Sequence, residues 1–435
     1  MRRDKNMDKK QEIQDEVQLI QDLFDGIDNG DFNNFGETSD KYTFKYLKAI
    51  WDLQTVLDGG KELYKQIYEI AIKCGIRHVQ QKYKTGRKIK VAFLTISAAE
   101  WPAESVYRLL KMNENVEAYL VVGPLIDRSV ENMEDAFEKT ASFFEKRGYD
   151  VRRAYDSKNK KVRLWEEIGK PDIVIHLTHW YKSLPEEYQI ENYPFTILNC
   201  YIPYAMSLAD NAKGTFMINS SNNSMFLNMM WHIYTDTMYH YEGYREYQLL
   251  GGENVVFTGF PKMDFFYNKI ENTSDQLMLM ANWKYPTGCD PKNMKKVIIA
   301  PHHTFLGYGG ILYSTFQWNM YFWIYLAKKY ENQISFIFKP HPNLRTRAIE
   351  AEVFRDAGDY ERYIDLWEKL PNARVSAEES YLEIFATSDG MIMDSNSFLA
   401  EYMYVNKPLL FLTREEQTFN KLGRSIVAVS YTHLR

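Results

Sequence analysis

The spacing of apolar positions changes near residue 88 and divides the chain into two kinds of structure. Before that point apolar residues recur at intervals of about three or four, which is typical of amphipathic helices. We expect helices over residues 11–24, 41–57 and 61–73. After that point short apolar runs alternate with amphipathic segments, which predicts βαβ units and a mostly parallel sheet.

The βαβ pattern occurs twice, and a polar interval over residues 268–296 separates the two rounds. In the first round we expect strands over residues 90–96, 116–122, 172–175, 196–200 and 254–258, with helices over residues 104–111 and 130–147. In the second round we expect strands at Val297, Ile334, Gly390, 409–412 and 426–429, with helices over residues 315–330 and 381–386.

These patterns predict an α/β protein with two Rossmann-like, doubly wound domains and a helical N-terminal extension. The expected parts are a helical region 1–86, a first domain 87–267, a linker 268–295 and a second domain 296–435. The strand over 426–429 should be followed by a helix, but the sequence stops at Arg435, so we expect a truncated second domain. Two such domains in tandem are expected to enclose a ligand cleft.

Composition and charge argue against several classes of protein. At 435 residues, with 45% apolar and 26% charged residues, the chain is typical of a soluble protein of two or three domains. A formal net charge of −5 argues against a general nucleic-acid-binding protein, which is usually basic. The three cysteines lack CxxC spacing, which argues against a disulfide framework or a zinc site and favours the cytoplasm.

Membrane insertion is not indicated either. The first 21 residues are charged and lack the apolar segment of a signal peptide. The most suggestive apolar stretch, residues 318–327, is about half the length that crosses a bilayer, so we predict a buried helix there. Peripheral association with the inner face of the cell membrane stays open.

Three short motifs carry the candidate chemistry, and each follows a predicted strand of the second round. They are residues 300–304 (APHHT), 339–343 (KPHPN) and 393–397 (MDSNS). Because the carboxyl ends of parallel strands lie at one edge of a sheet, we expect these loops to meet and bind a ligand there. Imidazoles, a carboxylate and hydroxyls in one place suit a phosphate-bearing substrate.

The histidines of the first two motifs are the candidate catalytic groups. His341 lies between two prolines that hold an extended turn, where it can donate to a phosphate oxygen or act as a general base. Adjacent residues of an extended segment point to opposite sides, so we expect only one of His302 and His303 to face the site, and we favour His303. A metal site formed by His302, His303 and His341 is conceivable, but no HxH or HExxH spacing supports it, so neither a metal nor a cofactor is predicted.

The third motif precedes a predicted helix over residues 398–404. Ser395, Asn396 or Ser397 is suited to cap that helix, and its free amides are equally suited to bind a phosphate, with the hydroxyls as further donors. Glu401 lies about one turn into the helix and is a candidate for binding a sugar or ribose hydroxyl, or else a solvated helix residue.

Further candidates lie in the first round of the pattern. Lys262 follows the strand 254–258, where it serves either as a phosphate ligand or as part of a hinge. His176 and His179 flank the end of the strand 172–175, and they either line an acceptor site or have core and capping roles.

The order and spacing of the motifs resemble the CDP-glycerol glycerophosphotransferase family of teichoic acid polymerase-like enzymes. The matching segments are residues 258–264 (TGFPKMD), 339–342 (KPHP), 393–397 (MDSNS) and Lys407-Pro408. The resemblance covers about residues 89–429 and implies a GT-B-like fold whose C-terminal domain binds most of the nucleotide donor.

By position, the family resemblance also implies roles for single residues. His341 would bind phosphate or act in catalysis, Ser395 and Ser397 would bind the donor phosphates, and Asp394 would order their loop. Family members often carry a Trp-His-Gly-Thr-Pro segment in the first domain, whereas residues 199–204 (NCYIPY) contain no histidine. His303 is a candidate for the missing imidazole, and Lys262-Met263 replaces the usual Arg-Asn pair.

The leading hypothesis is a transferase that moves a glycerol-phosphate or related group from a CDP-activated donor to a hydroxyl of a cell-surface polymer or glycolipid. Either His303 or His341 would deprotonate that hydroxyl. One alternative is a nucleotide-sugar glycosyltransferase or epimerase of surface polysaccharide synthesis. Another is a non-catalytic nucleotide-sugar-binding protein. The expected partners are a nucleotide-activated donor and a polymer or lipid-linked acceptor.

Overall fold

Two α/β units make up the chain in the computed structural model. The structure describes residues 17–19, 21–26, 40–55, 59–127, 129–210, 221–267, 282–305, 311–376 and 381–432. The first unit comprises Met1–Tyr204 and Asn222–Lys262, and the second comprises Ala205–Ser221 and Met263–Arg435. Half of the predicted linker, residues 268–281, lies outside the described residues, as do residues 11–16 of the first predicted helix.

A seven-stranded parallel sheet forms the centre of the first unit. The strands of this unit are β1 (Ile89–Thr95), β2 (Val116–Val122), β3 (Val151–Arg153), β4 (Tyr155–Asp156), β5 (Lys161–Val162), β6 (Ile173–His176), β7 (Leu198–Tyr201), β8 (His232–Thr235) and β9 (Val255–Phe257). The sheet has the order β3-β2-β1-β6-β7-β8-β9, while β4 and β5 form a separate antiparallel pair. Every neighbouring pair in the large sheet is parallel, as the alternating pattern predicts.

Helices cover this sheet and share its core. They are α1 (Lys45–Leu53), α2 (Gly60–Lys84), α3 (Glu104–Met112), α4 (Val130–Lys146), α5 (Trp165–Ile168), α6 (Met225–Asn228) and α7 (Met238–Tyr247). Helix α2 buries Tyr64 and Ile67 in the same apolar cluster as Leu198 of β7. Gly75 permits this close approach, because a Cβ atom there would lie 2.5 Å from Cδ2 of Leu198. The helices before residue 88 therefore contribute to the core of the first unit.

A five-stranded parallel sheet forms the centre of the second unit. Its strands are β10 (Lys295–Ala300), β11 (Ile334–Phe338), β12 (Ala373–Val375), β13 (Gly390–Met393) and β14 (Leu409–Phe411), in the order β12-β11-β10-β13-β14. Its helices are α8 (Asp264–Tyr267), α9 (Phe316–Lys329), α10 (Leu344–Glu350), α11 (Ala357–Glu368), α12 (Leu382–Thr387), α13 (Ser397–Met403) and α14 (Lys421–Thr432). Strand β10 lies between β11 and β13, so the loops that leave these three strands are neighbours.

The C-terminal segment differs from the prediction. Residues 426–429 belong to helix α14 and not to a strand. The side chain of Asn420 accepts a hydrogen bond from the amide of Gly423 at 2.9 Å, which is the contact of a helix N-cap. The amide nitrogen of the same side chain donates to the carbonyl of Ser207 at 2.8 Å. This tertiary anchor starts a helix in spite of the local preference of Ile426 and Val427 for strands.

Helix α9 is also less buried than predicted. One face buries Phe316, Met320, Trp323, Ile324 and Ala327. The opposite face exposes four aromatic side chains, namely Trp318, Tyr321, Phe322 and Tyr325. Across the described part of the chain, helices with the length and apolar content of a membrane span do not occur.

Candidate functional site

The loops after β10, β11 and β13 meet at one edge of the five-stranded sheet. The amide of His341 donates to the carbonyl of Pro301 at 3.3 Å. The amide of His302 donates to Oδ1 of Asp394 at 2.5 Å. The loop after β10 therefore contacts both of the other loops, and the expected convergence of the three motifs is confirmed.

Asp394 is the buried residue that joins the loop after β13 to the segment between β10 and α9. Its Oδ1 accepts the bond from His302, and its Oδ2 accepts from the amide of Thr315 at 2.5 Å and from the Thr315 hydroxyl at 2.8 Å. The side chain thus ties the end of β13 to the loop after β10 and to the start of helix α9. Burial raises the pKa of Asp394 to about 6, although these hydrogen bonds oppose the shift.

Three imidazoles form a cluster beside Asp394. The ring centres of His303 and His341 lie 3.9 Å apart in a stacked arrangement. The ring of His302 lies 4.4 Å from that of His303 and 5.3 Å from that of His341. One ring nitrogen from each residue can be chosen so that all three lie within 4.8 Å of one another.

The expectation that only one of His302 and His303 faces the site is wrong. Side chains alternate between two sides only while the backbone continues as a strand. Strand β10 ends at Ala300, and the chain bends at His303. Both rings therefore point toward His341.

Polar contacts orient two of the rings. Nδ1 of His302 lies 2.9 Å from Oγ1 of Thr304, and this oxygen also accepts the amide of Tyr313 at 2.9 Å. Nδ1 of His341 accepts the amide of Asn343 at 3.1 Å. Nδ1 of His303, in contrast, is buried and has no hydrogen-bond partner among the described residues.

The environment favours the neutral form of all three imidazoles. Burial and, to a smaller extent, the Arg347 guanidinium lower the pKa of His303 to about 4. Burial, His303 and Lys339 together lower the pKa of His341 to about 3. The pKa of His302 is lowered well below its usual value by burial and by the other two rings. At neutral pH each ring therefore has one N–H group and one lone pair.

The serine hydroxyls of the third motif form no hydrogen bonds with the described residues. Ser395 is buried, Ser397 is partly buried, and no described residue hydrogen-bonds to either side chain. Asn396 occupies the N-cap position of α13 but makes no capping bond, so the expected side-chain cap is absent there. Its Oδ1 is buried and lacks a hydrogen-bond partner among the described residues. These groups are available to a ligand.

Glu401 and Lys262 occupy places other than the imidazole cluster. Glu401 is fully buried on α13 and accepts a hydrogen bond from the hydroxyl of Tyr381. Lys262 belongs to the first unit, where its ammonium group donates to the carbonyls of Ala99 at 3.2 Å and Tyr204 at 3.5 Å. These contacts give Lys262 a role in joining loops of the first unit.

The two histidines near the end of β6 lie within the first unit. His176 is buried and its Nε2 lies 3.0 Å from the side-chain oxygen of Asn199, which gives it a role in the core. Nδ1 of His179 lies 3.4 Å from the hydroxyl of Tyr201, and burial lowers the pKa of His179 to about 4.

Sequence reasoning missed Thr315, Thr304 and Arg347. Thr315 was assigned to a helix start, and only the fold shows that Asp394 binds it. Thr304 belongs to the first motif and follows the two histidines, which was an available signal. Arg347 lies in α10, directly after the KPHPN segment, where a basic residue close to a candidate phosphate site was a second signal.

A family model matches the C-terminal part of the chain. It is described as CDP-Glycerol:Poly(glycerophosphate) glycerophosphotransferase, and it matches residues 249–430, which is less than half of the chain. The match includes all three motifs of the site and confirms the resemblance predicted from them.

A curated relative agrees with this match. The chain is 26% identical over 161 residues to a teichoic acid poly(ribitol-phosphate) polymerase of Bacillus spizizenii. The alignment covers 37% of this chain and 22% of the relative, so the chain spans about a fifth of the relative's length.

Two solved structures are similar over most of the chain at low sequence identity. The wall teichoic acid polymerase TagF has a TM-score of 0.46 at 12% identity, over 81% of this chain and 77% of that chain. A UDP-GlcNAc 2-epimerase of Neisseria meningitidis has a TM-score of 0.42 at 15% identity, over 80% and 91%.

Proposed function

Residues 249–430 form a CDP-glycerol glycerophosphotransferase-like segment, and from this premise we propose a transfer reaction for the whole chain. The reaction moves a glycerol-phosphate or related group from a CDP-activated donor to a hydroxyl of a cell-surface polymer or glycolipid acceptor. The observation that carries the proposal is the convergence of His303, His341 and Asp394 at the carboxyl edge of the matched sheet.

His341 is proposed to bind a phosphate oxygen of the donor. Because its Nδ1 accepts the amide of Asn343, the hydrogen of the neutral ring is on Nε2. That N–H group is a donor suited to an anionic oxygen. Lys339 and Arg347 are close enough to affect the pKa of His341 and His303 respectively, so the surroundings are positive and favour an anion.

The start of α13 is proposed to bind the same phosphates. The hydroxyls of Ser395 and Ser397 have no partner among the described residues and can donate to phosphate oxygens. The unpartnered Oδ1 of Asn396 is an acceptor and suits a hydroxyl of the transferred group. Asp394 is proposed to position this segment through its bonds to His302 and Thr315 and does not contact the donor itself.

His303 is proposed to act as the general base. Its pKa of about 4 keeps it neutral at neutral pH, and its Nδ1 has no described partner. The acceptor oxygen would form a bond to the phosphorus that carries glycerol, while the bond from that phosphorus to the bridging oxygen breaks and CMP leaves. The proton of the acceptor hydroxyl would pass to His303, whose pKa rises when the negative donor is bound.

The setting of the reaction is proposed to be the cytoplasmic side of the cell membrane. Cys74 and Cys200 are buried free thiols, and Cys289 is also free, which fits a reducing compartment. A polymer or lipid-linked acceptor at the inner face of the membrane would then be accessible to the enzyme.

The test is release of CMP from CDP-glycerol in the presence of a teichoic acid primer. We expect His341→Ala to lower the turnover at least about tenfold without unfolding the protein, because a positioned imidazole typically contributes that much or more. His232→Ala is the matched control, since His232 is a partly buried histidine of the first unit. Equal turnover in the two variants would refute the role of His341.

The same assay distinguishes the other functions. Nucleotide release from UDP-sugars, without release from CDP-glycerol, would replace the proposal by a glycosyltransferase or epimerase. Donor binding without any release would instead favour a non-catalytic binding protein.

A further inference from the structure

We propose that His302, His303 and His341 bind a divalent first-row transition metal ion of the zinc or cobalt class. One ring nitrogen from each residue lies within 4.8 Å of the other two. The site was not expected from the sequence, because its ligands come from two loops and not from one spaced motif. The inference concerns metal binding in the absence of the donor, because the ring nitrogens of His303 and His341 that would bind the ion are also the ones proposed to act in the transfer reaction.

The distances are within reach of a metal site. Imidazole nitrogens lie about 2.0–2.1 Å from zinc, so two ligands of a tetrahedral ion are about 3.4 Å apart. The nitrogens now lie within 4.8 Å of one another, and the rings of His303 and His341 are stacked, so one of these two rings must turn before both in-plane lone pairs point at one ion. The ring centres of His302 and His303 lie 5.3 Å and 3.9 Å from that of His341, which brings the three ligands to one place.

His303 supplies the second observation that indicates a ligand. Buried polar atoms in folded proteins nearly always have a hydrogen-bond partner. Nδ1 of His303 is buried and has none among the described residues. A metal ion bound at Nδ1 would accept its lone pair and so supply the missing partner.

Contacts around His302 resemble the support that metal-binding histidines usually have. The non-ligating nitrogen of such a ring commonly donates to an oxygen atom, which orients the ring and sets its tautomer. Nδ1 of His302 lies 2.9 Å from Oγ1 of Thr304, which the amide of Tyr313 holds in place. This arrangement leaves Nε2 of His302 to bind the ion.

His341 would exchange one hydrogen bond for the metal. If Nδ1 binds the ion, the bond from the amide of Asn343 is displaced, and if Nε2 binds it, Nδ1 carries the hydrogen and no longer accepts. In both cases the Asn343 amide lies at an exposed position where water can replace the contact. Ligation by His341 therefore costs little free energy.

Ligand type and nearby charge decide which ions bind. Three imidazoles suit zinc, cobalt, nickel and copper, whereas magnesium and calcium prefer oxygen ligands. Arg347 and Lys339 are close to the cluster and oppose the binding of a bare dication. We therefore expect reversible binding of zinc and cobalt and no competition by magnesium.

The experiment is a titration of the full chain with Co²⁺ alone, followed by its visible absorption and by calorimetry. We expect one Co²⁺ per chain for the wild type and at least about tenfold weaker binding for His303→Ala, which loses one of the ligands. His232→Ala is the control, because it also removes a histidine whose buried Nδ1 has no described partner. Equal affinity in the two variants, or displacement of Co²⁺ by Mg²⁺, would overturn the proposal.

X-ray absorption of the zinc-loaded wild type keeps the test independent of how the variants fold. Three imidazole nitrogens at about 2.0–2.1 Å from zinc would support the site, and fewer than three would overturn it. Neither measurement uses the donor. A wild type that binds Co²⁺ but releases no CMP would therefore refute the transfer reaction alone. A wild type that releases CMP but does not bind Co²⁺ would refute the metal site alone.

Discussion

The two units each contain a buried aspartate at an edge of the parallel sheet, but the two carboxylates are in opposite situations. Asp172 directly precedes β6, at the amino edge, and Asp394 directly follows β13, at the carboxyl edge. Asp172 is 3% exposed and Asp394 is 0% exposed, so burial by itself does not distinguish them. Their hydrogen-bond partners do.

The partners of Asp172 include the cation Lys82. Nζ of Lys82 lies 2.6 Å from Oδ2, Nε2 of His78 lies 3.0 Å from Oδ1, and the amide of Lys90 donates at 2.7 Å. Burial raises the pKa of Asp172, but these contacts more than reverse the shift and leave it below its usual value. Asp172 is thus part of an ion-paired structural contact.

The partners of Asp394 are neutral amides and one hydroxyl, so its pKa stays raised at about 6. No cation pairs with this carboxylate among the described residues. Its two carboxylate oxygens accept three bonds and join the end of β13 to both ends of the segment between β10 and α9, which leaves the imidazoles and serines beside it available. The comparison shows that a carboxylate at the carboxyl edge can organise a site while one at the amino edge fastens the scaffold.

Removal of Asp394 is expected to have the largest effect on stability. Asp394→Ala leaves two buried donors on Thr315 and one partly buried donor on His302 without acceptors, at a cost of about 1–3 kcal/mol each when unrelieved. We expect the free energy of unfolding of the second unit to fall by about 3–5 kcal/mol, measured by denaturant titration.

Asp389→Ala is the control for this variant. Asp389 lies at the opposite end of β13 and accepts the amide of Lys296 at 2.8 Å, but its side chain is 36% exposed. We expect a loss of about 1 kcal/mol, because water can replace the contact. Similar losses for the two variants would contradict the assignment of Asp394 as the connecting residue.

Asp172→Ala should lower the free energy of unfolding by about 2 kcal/mol, which is less than the loss for Asp394→Ala. Lys82 and His78 are partly exposed, so water can replace the carboxylate as their partner. The second change Lys82→Met should recover part of that loss, since it removes the charge left without a partner. Denaturant unfolding of the single and double variants measures this coupling. Strictly additive losses would show that the ion pair does not contribute as described.

The pH dependence of Asp172 gives a smaller effect. The pKa of Asp172 in the folded state lies below the usual value of 3.8. Its contribution to the free energy of unfolding is therefore fully present above pH 3.8 and is lost as the pH falls through the lower folded-state pKa. We expect the stability difference between wild type and Asp172→Asn to be constant from pH 7 to 5 and to shrink at lower pH. A difference that grows on acidification would contradict the direction of this shift.

Ser397→Ala is expected to have the smallest effect, and only on function. Its hydroxyl forms no hydrogen bond with described residues, so the free energy of unfolding should be unchanged. The KM for CDP-glycerol is expected to rise about three- to tenfold. Ser388→Ala is the control, because Ser388 is buried and bonds to Phe385 and Tyr402. That variant should lose stability and keep its KM; the reverse pattern would argue against phosphate binding at Ser397.

Much of the secondary structure was predictable, because a short apolar run that is buried between turns usually forms a strand. The strand at 116–122 begins and ends where predicted, and the strand predicted at Ile334 begins at that residue. Helix α14 was not predicted, because its start depends on a hydrogen bond from the side chain of Asn420 to a distant carbonyl. The short strand β8 and the pair of α11 and β12 were missed, because their apolar patterns are weak.

By itself, the sequence determined the α/β class, the parallel pairing within each round and the arrival of three motifs at one sheet edge. Those properties follow from local periodicity and from the rule that parallel strands end on the same side. Only the tertiary structure decided that His302 and His303 face the same way and that Asp394 bonds to three donors. Such details depend on where a backbone bends and on which side chains it meets, and neither is encoded in spacing along the chain.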